Sequence, residues 1–131
     1  MTDKELIDLA KNAAQNSYSP YSKFKVGAAL LCSDGTVYTG CNVENISFGA
    51  TNCAERTAVF KAVSEGKREF SKIAVTGSGD GSFSEFTYPC GVCRQVLSEF
   101  CKGNFSIVLS NGKEIKSIPF SEFMPFPFDD F

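Results

Sequence analysis

Two short segments of the chain carry residue types and spacings suited to a reaction centre: Cys53-Ala54-Glu55-Arg56 and Pro89-Cys90-Gly91-Val92-Cys93-Arg94-Gln95. Cys90 and Cys93 are three positions apart, which on a first helical turn puts both sulfurs on one face, as two ligands of tetrahedral zinc require. Cys53 lies 37 positions before Cys90, and a helix, a strand and a loop between them can return it to the same point. Three thiolates leave the fourth zinc position open, the mark of a catalytic rather than a structural site. Glu55, two residues beyond a ligand, is poorly placed to bind the metal but can sit against the open position. There a carboxylate can take up and return the proton of an activated water. Three thiolates around one divalent cation make an anionic centre and a weakened Lewis acid. The positive ends of two helices would offset that charge, as would hydrogen bonds to sulfur from Arg56, with Arg94 a further candidate. On spacing alone, Cys90 and Cys93 also fit a structural zinc knuckle or a redox C-x-x-C; including Cys53-Ala54-Glu55 points instead to one catalytic Zn²⁺ per chain.

The composition narrows the chemistry further. The chain has 131 residues, six cysteines, no histidine and no tryptophan. No Ser-His-Asp triad, Cys-His dyad or histidine-ligated metal can be built from it, so a general acid or base must be a carboxylate, lysine, tyrosine or cysteine. The net charge is −2 and the pI about 5.1, which offers no basic footprint for a nucleic-acid polymer. The first residues, Met1-Thr2-Asp3-Lys4-Glu5, lack the apolar stretch of a secretion signal, and no apolar run approaches the roughly 20 residues of a membrane span. The expectation is a cytoplasmic protein with no membrane partner, whose cysteines serve metal binding, catalysis or packing rather than disulfides.

The elements that must position these residues follow from periodicity. Thr2-x-x-Glu5 is a capping box ahead of Leu6, Leu9, Ala10, Ala13 and Ala14, which predicts an amphipathic helix over residues 3–16. Ser17 to Ser22 breaks it, and Phe24–Cys32 reads as a buried strand. Ser33-Asp34-Gly35 is a hairpin turn, with Thr36–Cys41 as the return strand. Residues 42–52 are a polar loop, and a helix begins near Cys53 and ends at Gly66. Phe70–Thr76 is a strand, Gly77–Tyr88 a Gly/Ser-rich loop, and Cys90–Cys101 a helix whose buried face would be Val96, Leu97, Phe100 and Cys101. Strands at Phe105–Ser110 and Glu114–Ile118 follow around an Asn111-Gly112 turn, then a helical turn at Ser121–Met124. The order αββαβαββ predicts one α/β domain, residues 1–131, with helices packed on a mixed five-stranded sheet.

At this point the chain resembles the small homotetrameric cytidine deaminases. The match runs through Tyr18-Ser19-Pro20-Tyr21-Ser22-Lys23-Phe24, Gly40-Cys41-Asn42-Val43-Glu44-Asn45, Cys53-Ala54-Glu55-Arg56-Thr57-Ala58 and Pro89-Cys90-Gly91-Val92-Cys93-Arg94-Gln95, to Met124-Pro125 and Phe128. Single motifs here are moderately specific; the four blocks in order are strongly so. The resemblance implies a three-layer α/β/α fold and hydrolytic deamination of cytidine and deoxycytidine in pyrimidine salvage. A zinc-activated water attacks C4 of the base, with Glu55 as proton shuttle. It also implies that Asn42, Val43 and Glu44 form the ribose-binding segment, that Phe24 packs on the base and that the Ala54 N–H reads the pyrimidine O2. Phe128 would reach from a neighbouring subunit to stack on the base. Phe48 stands where relatives commonly carry tyrosine, and Phe126 and Pro127 where they usually carry smaller residues.

Other readings compete residue by residue. Cys32, Cys41 and Cys101 fall where a small buried thiol is ordinary packing. Without the family match, Glu44 would be a solvated loop carboxylate, Asn42 an Asx-turn residue, and Phe24 and Phe128 plain packing. Thirteen phenylalanines suggest that partner copies cover some apolar surface. The rival functions are a zinc deaminase for another aminopyrimidine nucleoside of the blasticidin type, and a structural zinc domain closed by a fourth cysteine, Cys41 or Cys101. Polymer editing is the least compatible with the acidic charge.

Overall fold

Thr2 sets the first helix: its hydroxyl accepts from the Glu5 backbone N–H at 3.1 Å, and α1 (Asp3–Ala14) runs behind it. The structure is a computed structural model describing residues 1–131. After α1 come β1 (Lys25–Cys32), β2 (Val37–Cys41), a single 3-10 turn at Phe48–Ala50, and α2 (Ala54–Ser64). β3 (Phe70–Ser78), α3 (Gly91–Phe100), β4 (Ser106–Ser110) and β5 (Ile115–Pro119) complete the order, with a second 3-10 turn at Phe120–Glu122. Every predicted element is present, with ends that differ by at most two residues. β3 runs on through Gly77 and Ser78 because these pair with Val26 and Lys25 of β1.

The five strands form one mixed sheet in the order β2-β1-β3-β4-β5. β3 and β4 are parallel, as a strand-helix-strand crossover through α3 allows, and the other pairs are antiparallel. Alternation along the strands sorts the core onto two faces. Ala29, Ala74 and Val108 face α1 and meet Leu6, Ile7 and Ala10. Ala28, Leu30, Ile73, Val75, Ile107 and Leu109 face the other way and meet Ala54, Ala58, Val59, Ala62 and Leu97 of α2 and α3. The result is the expected three-layer α/β/α arrangement.

Small residues bring the layers close. A Cβ at Gly27 would lie 1.8 Å from the Ala10 carbonyl oxygen, so α1 rests directly on the β1 backbone. A Cβ at Gly40 would lie 2.6 Å from both the Ala54 carbonyl oxygen and the Ala58 nitrogen, so the first turns of α2 sit equally close to β2. That second contact fixes the height above the sheet of the helix that starts at the reaction centre.

Candidate active site

The N-termini of α2 and α3 converge on one point. Cys53 is the N-cap of α2 and Cys90 the N-cap of α3, and neither side chain makes a capping hydrogen bond. Cys93 lies in the first turn of α3 and is buried, whereas Cys90 is exposed. The three sulfurs all lie within 4.8 Å of one another, and no other cysteine joins the group. The Cys53 and Cys90 sulfurs are 3.8 Å apart. Two sulfurs on a tetrahedral zinc at about 2.3 Å would be separated by about 3.8 Å, so this spacing fits the metal as it stands. Cys32 and Cys101 are buried elsewhere and Cys41 ends β2, so none of them closes the shell as a structural zinc domain would require.

The electrostatics favour thiolate at Cys53. A hydrogen bond from the Cys93 thiol, working against burial and joined by Arg56, pulls the Cys53 thiol down to about 5. The same bond, with burial and the neighbouring Glu55 carboxyl, pushes Cys93 up. Arg56 donates from Nη2 to the Cys53 sulfur at 3.1 Å. Burial works against the Arg56 charge, yet the hydrogen bonds and charge of Cys53 and Cys93 outweigh it and hold its pKa above the ordinary value. Both helices add the positive end of their dipoles. The donor set, three cysteines with an arginine on one sulfur, therefore fits a soft divalent cation such as zinc. Arg94 does not share that role: its Nε donates to the Pro89 carbonyl at 2.9 Å and its guanidinium lies 5.1 Å from the Phe123 ring centre.

Glu55, in the first turn of α2, is only 4% exposed. Burial is the main cause pushing its carboxyl up to about 7, and the Cys53 charge adds to it. Its own backbone N–H, Cys93 and Arg56 oppose the rise. Ala54, the first residue of the helix, is fully buried; its N–H is among the donors that a helix N-terminus leaves without an intrahelical partner.

The segment Asn42–Glu44 is stitched to this centre through the backbone. Val43 and Asn52 exchange both N–H···O bonds at 2.9 Å, one residue before Cys53. On its other side the segment pairs with Tyr18, which donates to the Asn42 carbonyl and accepts from the Glu44 N–H. Val43 itself points outward, 44% exposed. The Asn42 side chain is buried: its Oδ1 accepts from the Ser17 hydroxyl and the Val26 N–H, and its Nδ2 donates to the Phe24 carbonyl at 2.8 Å. Glu44 accepts from Ser22 and Tyr21, and the Ser22 hydroxyl above all holds its carboxyl below the ordinary carboxylate range. Phe24 lies beside Gly77 and lines a cleft of about 420 Å³. Glu44 lines a second concavity of about 390 Å³ with Tyr21 and Phe48. The sulfur cluster lines neither.

Two sequence-picked positions lie at the surface. Phe48, 77% exposed, packs edge-on against Tyr21. Phe128, on the tail behind α3, accepts from Gln95 through its carbonyl and packs edge-on against Phe131. Sequence reasoning gives no role to Ser17, Ser22 or Asn52, which hold the Asn42–Glu44 segment in place. The only local signal was that Ser22 falls inside one of the four motif blocks.

Comparison with known proteins agrees with this geometry. The family model for the cytidine and deoxycytidylate deaminase zinc-binding region matches residues 1–109. A cytidine deaminase of Sporosarcina psychrophila is 49% identical over 126 residues, covering 95% of this chain and 90% of that one. A cytidine deaminase of Halalkalibacterium halodurans is 47% identical over 126 residues, covering 95% and 92%. The crystal structure of a cytidine deaminase from Burkholderia pseudomallei superposes with a TM-score of 0.89 at 46% identity, over 98% of this chain and all of that one. Sulfur cluster, buried carboxyl, sheet order and sequence blocks thus lead to one placement: the chain belongs to the cytidine and deoxycytidylate deaminase family.

Proposed function

We propose that residues 1–131 form one catalytic domain that hydrolyses cytidine and deoxycytidine to uridine and deoxyuridine, releasing ammonia, in cytoplasmic pyrimidine salvage. The observation that carries this reading is a buried carboxyl, Glu55, at the head of α2 beside three cysteine sulfurs gathered at two helix N-termini. Cys53, Cys90 and Cys93 would hold one zinc ion, which when bound would supply the Lewis acidity that makes a water nucleophilic near neutral pH.

The chain's own residues do the rest. Glu55 takes a proton from the attacking water and delivers it to N3 of the cytosine ring; it then takes the remaining proton from the new C4 hydroxyl and passes it to the departing amino group, so that the C4–N bond breaks as the C4 carbonyl forms and ammonia leaves. Its burial keeps bulk water from competing for that proton. Arg56, bonded to the Cys53 sulfur, tunes the charge of the metal site. The Ala54 N–H, free at the helix start, binds the pyrimidine O2, and Phe24 packs on the base. Asn42 has one side-chain N–H left after its three internal bonds. It donates that N–H to a ribose hydroxyl, while Glu44 accepts from one and Val43 sets the spacing between them.

The ring of Phe128 enters the site of a neighbouring copy in a homotetramer. The exposed apolar side chains of Ile46, Phe48 and Phe126, at 81%, 77% and 97%, support such self-association.

The direct test is the ultraviolet absorbance change of cytidine with zinc-loaded protein, alongside a zinc count. Glu55→Gln should keep the zinc and lower turnover by about 10²–10⁴-fold, to which a structural zinc domain would be indifferent. No absorbance change with one zinc bound would refute the proposal. Turnover of blasticidin S in preference to cytidine would reassign the substrate.

A further inference from the structure

Glu44 has no salt-bridge partner among the ion pairs of the chain, so hydrogen bonds alone decide where its carboxylate points. All of them come from two consecutive residues on another segment. The Tyr21 and Ser22 N–H groups donate to Oε1 at 3.0 and 3.1 Å, and the Ser22 hydroxyl donates to Oε2. The two backbone donors share one oxygen, so only the hydroxyl fixes the rotation of the carboxylate plane. That same hydroxyl accepts from the Phe24 N–H at 3.0 Å. Ser22 therefore touches both the carboxylate assigned to the sugar and the backbone of the ring assigned to the base.

We propose that Ser22 is a positioning residue for sugar recognition, orienting the Glu44 carboxylate toward the nucleoside's ribose hydroxyls and locking that orientation to the Phe24 backbone. The inference rests on the assignment of Glu44 to those hydroxyls. An oriented carboxylate binds the hydroxyls equally in the ground and transition states, so its loss should raise KM and spare kcat. A substrate without the hydroxyls should not sense it.

The experiment compares cytidine with 2′,3′-dideoxycytidine, which lacks both hydroxyls, on the zinc-loaded enzyme. Ser22→Ala should raise KM for cytidine about tenfold, as expected for losing a hydrogen bond to a charged group, with kcat changed less than about twofold. KM for the dideoxynucleoside should move less than about twofold. Ser22→Thr, which restores the hydroxyl at an exposed position, should recover the cytidine KM, and thermal melts of both variants check folding. An equal rise in KM for both substrates would place Ser22's effect on Phe24 or on the fold and overturn the inference, as would an unchanged cytidine KM or failure of Ser22→Thr to rescue. Glu44→Gln separates the two levels: if it leaves the ratio of the two KM values at the parent value, the assignment of Glu44 itself fails and the role of Ser22 falls with it.

Discussion

Gly40→Ala tests whether the sheet sets the height of the catalytic helix. The new Cβ would meet the Ala54 oxygen and the Ala58 nitrogen at 2.6 Å and the Thr57 Cβ at 2.9 Å. Ordinary contact begins near 3.4 Å, so the first turns of α2 must retreat from β2 by about 0.8 Å. Two of the three clashing atoms are backbone, so no rotamer change relieves them. Overpacking of this kind costs about 1–3 kcal/mol, and for a chain of this length each kcal/mol lowers Tm by roughly 4 °C. The same retreat moves Glu55 and Cys53, which begin the helix, and a displacement near 1 Å in a reacting group can cost about 100-fold in rate. Melting at fixed zinc and protein concentration, a zinc count and kcat for cytidine would be measured together. The expected result is a folded protein with Tm down by roughly 4–12 °C and kcat down by at least about tenfold. A variant that folds with lowered Tm yet keeps parental kcat would refute the idea that this contact holds the helix in its catalytic position.

Two further outcomes follow from the electrostatics. Arg56→Ala removes the donor on the Cys53 sulfur and should weaken zinc retention against a chelator by about 10–100-fold, the usual effect of losing a partner that orients a metal ligand; unchanged retention and turnover would show that the arginine only packs. Burial pushes the Cys101 thiol from 9.0 up to about 12, so the fold favours its neutral form: the associated stability is intact below pH 9 and is lost as pH rises toward 12. The loss is of the order of 4 kcal/mol once the thiol is ionised. Unfolding curves of the parent and Cys101→Ala should therefore converge between pH 9 and 12, and parallel curves there would contradict this.

Much of the reaction centre could be read in the sequence because it lies where local signals are strongest. Cys53 and Cys90 stand immediately ahead of apolar helical spacing, and Pro89 marks a boundary, so both helix starts were predicted within one residue. The parallel pairing of β3 with β4 is implied by the helix between them, but the central place of β3, antiparallel to β1 on its other edge, is not written in any local period. The inner face of α3 was only partly read. Cys93 and Ser98 are buried while Val96 and Phe100 are half-covered, because Cys93 must turn toward Cys53 and carries the helix face with it. Arg94, in sequence only a further candidate for the role given to Arg56, lies in the first turn of a different helix and turns back to Pro89. The Ser17–Asn42 and Ser22–Glu44 bonds span 25 and 22 residues, and nothing in the neighbourhood of either serine announces its partner.

The uncapped starts of α2 and α3 set folding stability against activity. Serine, threonine or aspartate at such a position typically strengthens a helix by about 1 kcal/mol relative to a residue that makes no cap, and here both positions hold cysteines whose side chains leave the backbone N–H groups alone. Selection for stability alone would replace Cys53 and Cys90 with better caps and lose the metal. The two helix ends therefore form a frustrated spot that chemistry preserves. A stabilisation campaign that ranks positions by folding energy would be drawn first to the two residues that this protein can least spare.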